Sequence, residues 1–126
     1  MKKILLVDDD RNILRLLKYE LEEDGYQVSL ASNGKEALSM LNMDKRPNLV
    51  IMDLRMPGMD GLETIGHIIK LKFELPVIIF SAYSSYKSDS MAMAADAYVV
   101  KSSDFSELKR KVHELGDRAE RSGLVR

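Results

Sequence analysis

With 126 residues, 19 Lys+Arg against 20 Asp+Glu and no Cys, the chain is the size of one domain. It lacks the basic excess of a nucleic-acid-binding surface and the thiols of a disulfide framework or thiolate metal site. Its 45% hydrophobic and 31% charged content excludes a disordered chain, and no apolar stretch approaches the roughly 20 residues that span a bilayer.

The basic start at Lys2-Lys3 meets Asp8-Asp9-Asp10 too soon for a signal peptide, so a cytoplasmic domain without membrane contact is expected. Between them lies Ile4-Leu5-Leu6-Val7, the first of four unbroken apolar runs that read as strands covered on both faces. Ile13, Leu17 and Leu21 then repeat every four residues, widened by Leu14 and Leu16, and predict a helix that Asp9 or Asp10 would cap. Tyr26-Gln27-Val28-Ser29-Leu30 alternates, as a strand nearer a sheet edge does. Ala37, Leu38 and Leu41 mark a second helix.

Leu49-Val50-Ile51-Met52 is the next buried strand. It ends at Asp53 and opens the loop Leu54-Arg55-Met56-Pro57-Gly58-Met59-Asp60-Gly61. Pro57-Gly58 reads as a turn, and Asp60 with Glu63 as a capping box for a helix marked by Leu62, Ile65, Ile68 and Ile69. Val77-Ile78-Ile79-Phe80 is the fourth strand, ending at Ser81. The stretch from Ser84 to Ala95 stands where a fourth helix belongs, but it is Ser- and Met-rich with a poor stripe and predicts an element of low local stability. Ala97-Tyr98-Val99-Val100 is the last strand, followed by Lys101. Phe105, Leu108, Val112 and Leu115 mark the last helix, with Gly116 as its C-cap. Residues 1–116 are thus expected to form one domain, with 117–126 as a polar helix extension or frayed tail. Five alternations of strand and helix require an α/β fold with parallel strands.

In such a sheet the site forms outside the carboxyl ends of the strands. Those ends carry Asp8-Asp9-Asp10, Asp53, Ser81 and Lys101. Carboxylates brought together repel, and a hard divalent cation relieves them; Mg²⁺ is the usual choice, with Mn²⁺ an acceptable substitute. A carboxylate is also a competent nucleophile toward a phosphoryl group, with metal and lysine neutralising the transferred charge. Asp53 is the preferred nucleophile, because it directly follows a fully apolar strand that would hold it rigid.

Four segments, in this order and spacing, carry a resemblance: Ile4 to Asp10, Val50 to Gly61, Pro76 to Ala82 and Ala95 to Lys101. Over essentially its full length the chain resembles the receiver domain of two-component response regulators, of the chemotaxis-regulator type. The resemblance implies a flavodoxin-like (βα)5 three-layer sandwich with strand order 2-1-3-4-5. It implies that Asp53 is the phosphoacceptor and that a sensor histidine kinase or phosphotransfer protein supplies the phosphoryl group from a phosphohistidine. Asp8, Asp9, Asp53 and the backbone carbonyl of Arg55 match the Mg²⁺ ligands. Ser81 matches the switch hydroxyl, Tyr98 the aromatic that turns inward with it, and Lys101 the phosphate-pairing lysine. The output face would be the fourth helix, fifth strand and fifth helix, read by a downstream effector domain or protein. Such a domain catalyses only its own phosphorylation and dephosphorylation.

The chain departs from the family after Lys101, where Ser102 and Ser103 replace a cis proline and its neighbour. Either the Lys101–Ser102 bond is cis, at a cost on the order of 3 kcal/mol, or it is trans and the loop is rerouted. That departure is the one support for an alternative, a phosphate-independent interaction module. A hydrolase with an aspartyl-phosphate intermediate is a weaker alternative, since its Asp-x-Asp motif expects Thr or Val where Asn12 stands. A flavodoxin would need a Gly- and hydroxyl-rich phosphate loop after the first strand. His67 and His113 read as surface residues, and Lys109-Arg110-Lys111 as a solvated helix face.

Overall fold

The computed structural model describes residues 2–41, 46–54, 61–70, 75–82 and 90–121. In chain order these form β1 (Lys3–Val7), α1 (Arg11–Glu23), β2 (Gln27–Ala31), α2 (Gly34–Leu41), β3 (Leu49–Met52), α3 (Gly61–Lys70), β4 (Val77–Ser81), α4 (Ser90–Met93), β5 (Ala97–Val100) and α5 (Ser106–Arg121). All strand pairs are parallel, and the sheet order is β2-β1-β3-β4-β5. This is the expected flavodoxin-like arrangement.

The unbroken apolar runs follow from the three layers. Successive strand residues point to opposite faces, so a strand covered on both sides needs an apolar residue at every position. Ile4, Leu6, Ile51, Ile78 and Phe80 pack with Leu14, Leu17 and Leu21 of α1 and Leu108, Val112 and Leu115 of α5. Leu5, Val7, Val50, Met52 and Ile79 pack on the other face with Ala37 and Leu41 of α2 and Ile65 and Ile68 of α3.

Three expectations need correction. β5 is not covered like the other runs: Val99 is buried, Ala97 and Tyr98 are only partly so, and Val100 is exposed. Among the described residues it is an edge strand, paired with β4 alone. Leu16 is 47% exposed, because two positions from Leu14 lies across the helix from the buried stripe. Gly116 does not cap α5. It is buried within a helix that continues to Arg121, where an added Cβ would lie 3.3 Å from the Lys2 side chain. The Pro57-Gly58 turn, the Asp60 cap and the stretch from Tyr83 to Asp89 lie outside the described residues.

Local chemistry sets the element ends. Asp10 Oδ1 accepts from the Asn12 N–H at 2.9 Å and caps α1, which decides between the two adjacent acids. Gly25, at φ 95°, turns the chain from α1 into β2. At the amino ends of the strands two side chains close the backbone. Asn48 Oδ1 accepts from the Lys3 N–H at 2.6 Å, and Asp96 Oδ2 from the Val77 N–H at 2.8 Å.

Candidate functional site

The site starts from the pairing of β1 with β3. Val7 is in register with Met52, and the Asp53 N–H donates to the Val7 carbonyl at 3.0 Å, so Asp8 and Asp53 leave the sheet side by side. Both are buried, at 5% and 8% exposure, above Leu6, Val7, Leu14, Leu17, Ile51 and Phe80. Asp9 is exposed, and one ligand oxygen from each of Asp8, Asp9 and Asp53 lies within 4.8 Å of the others. Of the three consecutive acids, Asp10 is occupied as the helix cap; its N–H donates to Asp8 Oδ1 at 2.9 Å and orients that carboxylate.

Lys101 reaches this pair from the end of β5. Its N–H donates to the Ser81 carbonyl at 2.7 Å, extending the β4–β5 ladder by one bond. Its ammonium donates to Asp8 Oδ2 at 2.7 Å and Asp53 Oδ2 at 3.1 Å. No cis peptide bond occurs among the described residues, so Lys101–Ser102 is trans. The trans bond does not withdraw the charge.

The electrostatics of the pair are asymmetric. Burial raises the Asp8 carboxyl above its ordinary 3.8, with the Asp53 charge adding and hydrogen bonds from Lys101 and the Asp10 N–H opposing. Burial alone would lower the Lys101 ammonium, but the hydrogen bond and charge of Asp8, joined by Asp53, outweigh it and raise the group above 10.5. The two directions agree physically. The lysine faces two anions, whereas each carboxylate has a share of one cation and a like charge beside it.

Three carboxylates against one ammonium leave two negative charges, and all the donors are hard oxygens. With Asp9 open to solvent, this set fits a divalent cation of the Mg²⁺ class. Arg55, the expected carbonyl ligand, lies outside the described residues. Ser81 ends β4 fully buried. Tyr98, in register with Ile79, is partly buried against the face covered by α2 and α3.

Sequence reasoning missed two residues that shape the site. An added Cβ on Gly61 would collide with the Asp53 carbonyl oxygen and lie 2.5 Å from Leu54 Cα, while the Gly61 N–H donates to the Leu54 carbonyl at 2.9 Å. The helix start thus presses directly on the peptide that carries Asp53. Its signal was a glycine opening a helix, where propensity alone disfavours it. Phe80 lies beneath the site, its ring centroid 6.0 Å from Lys101 Nζ. Its place in an apolar strand gave no such signal.

Residues 4–113 match the family model of the response regulator receiver domain. The chain is 35% identical over 121 residues to the alkaline phosphatase synthesis transcriptional regulatory protein PhoP of Bacillus subtilis, covering 94% of this chain and 50% of that protein. It is also 35% identical over 125 residues to the probable transcriptional regulator ycf27 of Cyanophora paradoxa, covering 98% and 52%. The chain spans about half the length of these curated relatives. Among solved structures it is similar to the response regulator TrrA of Thermotoga maritima in complex with Mg²⁺–BeF, at 51% identity and TM-score 0.87 over 91% of this chain and 99% of that one. A structure of the histidine kinase ThkA in complex with TrrA matches at 51% identity and TM-score 0.84, over 91% and 98%. A CheY-like receiver domain protein of Methanospirillum hungatei JF-1 matches at 32% identity and TM-score 0.89, over 97% and 98%. Strand order, strand-end chemistry and sequence agree, and the chain belongs to the response regulator receiver domain family.

Proposed function

We propose that Asp53 accepts a phosphoryl group from the phosphohistidine of a sensor histidine kinase or phosphotransfer protein. An Asp53 oxygen bonds to phosphorus as the phosphorus–nitrogen bond breaks, and the donor imidazole leaves with that electron pair. The observation that carries this reading is the Lys101 ammonium held between Asp8 Oδ2 and Asp53 Oδ2 at the ends of neighbouring strands, with Asp9 at the open side. The bound TrrA complex with Mg²⁺–BeF supports it by likeness.

Asp8, Asp9, Asp53 and the Arg55 carbonyl would hold Mg²⁺. When bound, that ion neutralises the carboxylates and the phosphoryl oxygens. The ammonium of Lys101 would pair with a phosphoryl oxygen on Asp53, and the Ser81 hydroxyl would bond another. Tyr98 would follow Ser81 inward and carry the change to the face of α4, β5 and α5, where an effector domain or protein reads it. Residues 1–116 act as the receiver and 117–126 as its polar extension, consistent with the helix running on to Arg121. In this reading the chain works in the cytoplasm and its chemistry is its own phosphorylation and dephosphorylation. Among the described residues no helix is long and apolar enough to cross a membrane. The trans loop after Lys101 leaves the ammonium on both carboxylates, which favours this reading over a phosphate-independent module.

Incubation with acetyl phosphate and Mg²⁺ should add one phosphoryl mass to the chain, and Asp53→Asn should abolish it. Undiminished labelling of that variant would overturn the assignment.

A further inference from the structure

Lys101 is held at its own N–H, and the residue after it is tied into a turn. On the strand side its N–H is bonded to the Ser81 carbonyl. On the helix side the Ser102 hydroxyl donates to the Asp104 carbonyl at 2.9 Å and accepts from the Asp104 N–H at 3.2 Å, closing a short turn immediately after the lysine. Asp104 Oδ1 then accepts from the Ser106 N–H at 2.9 Å and the Ser106 hydroxyl at 2.6 Å, which fastens that turn to the start of α5. Between them Phe105 meets Phe80 edge-on, with ring centroids 6.2 Å apart. The ring of Phe80 is the one that also lies below the Lys101 ammonium.

A lysine has a long, flexible stem, so the volume its ammonium searches depends on how firmly its Cα is held. In this structure the ammonium is bonded to Asp8 and Asp53. To meet a phosphoryl group on Asp53 it must shift along the site while its backbone stays in place. A misplacement of about 1 Å at a charged group of this kind costs rate even when binding survives.

We propose that Ser102 is a positioning residue for phosphoryl transfer: its hydroxyl closes the Ser102–Asp104 turn and so fixes the peptide that follows Lys101, the root from which the lysine reaches the phosphoryl group. This rests on the reading of Asp53 as phosphoacceptor. Ser102 is exposed, so removing its hydroxyl leaves no buried group without a partner and opens no cavity. The effect on rate is therefore separable from the effect on folding.

The test uses the 126-residue chain, acetyl phosphate and Mg²⁺, with initial labelling rates measured across acetyl phosphate concentration. Ser102→Ala should lower the maximal rate about fivefold or more through misplacement of the lysine, with the half-saturating concentration unchanged and the chain fully folded at the assay temperature. Ser102→Thr should restore the rate. Amide exchange at Asp104 should quicken in the alanine variant and not in the threonine variant. A Ser102→Ala rate within twofold of the parent overturns the inference, as does a threonine variant equally slow or a rate loss explained by partial unfolding at the assay temperature. Asp53→Asn is run in parallel. If it is silent while Ser102→Ala is unaffected, only this inference fails; if it labels like the parent, the phosphoacceptor reading fails and the inference falls with it.

Discussion

At the amino end of the sheet, Asn48 and Asp96 each accept a backbone N–H that the first residue of a neighbouring strand presents, at 2.6 and 2.8 Å. At the carboxyl end, Asp8 and Asp53 face each other across one lysine instead, buried and short of positive charge. Aspartate thus has opposite energetic signs at the two ends, at Asp96 on one side and at Asp8 and Asp53 on the other. An acid at the amino end satisfies a donor that burial would otherwise orphan. The acids at the carboxyl end are hydrogen-bonded but outnumber the one ammonium that faces them, a deficit a divalent cation would relieve, which is the condition of a site built for binding rather than for folding.

The largest test of that contrast is metal. Mg²⁺ at a hundred times its dissociation constant should stabilise the parent by about 2.7 kcal/mol, and Asp8→Asn should lose most of the gain. Without metal the order should invert at neutral pH, with Asp8→Asn melting above the parent, because the raised carboxyl of Asp8 marks a charge the fold disfavours. The native state then binds its proton more readily than the unfolded chain does. The parent's deficit should therefore close as pH falls through the raised value toward 3.8. Thermal melts with and without Mg²⁺ across pH check both signs; a parent indifferent to Mg²⁺ would erase the contrast.

Gly61→Ala comes next. The clash is with backbone of Asp53 and Leu54, which cannot swing aside, so a loss of about 1–3 kcal/mol in chemical denaturation is expected. At the amino end, Asp96→Ala should cost about 1–2 kcal/mol by leaving the Val77 N–H without its side-chain acceptor, and labelling at Asp53 should be unaltered. Asp10→Ala is the smallest, about 1 kcal/mol, since Asp10 sits among the site acids yet acts as a helix cap. If Asp10→Ala stabilised the metal-free chain as Asp8→Asn should, the division between capping and binding acids would be wrong.

Much of this contrast was legible in the sequence because strand ends are legible. An apolar run stopping at Asp8, Asp53, Ser81 or Lys101 places that residue at the carboxyl end of the sheet by periodicity alone, and three of these four, Asp8, Asp53 and Lys101, meet. What was not legible depends on tertiary neighbours. Val100 is exposed because β5 is at the edge, and a four-residue run reads the same at edge or centre. Asp9 and Asp10 are equivalent as caps on paper; backbone geometry at Asp10 decides. Gly61 matters through its approach to Asp53, eight positions earlier, and the Ser102–Asp104 turn is a pair of short-range bonds in a polar loop with no periodic signature.

A crystal structure of the chain with Mg²⁺ and beryllofluoride tests the central claim most directly. The account predicts beryllium on an Asp53 carboxylate oxygen, Mg²⁺ held by Asp8, Asp9 and Asp53, and the Lys101 ammonium moved from Asp8 onto a fluoride while its N–H stays on the Ser81 carbonyl. An unmodified Asp53, with Lys101 still bonded to Asp8 at saturating reagent, would contradict it.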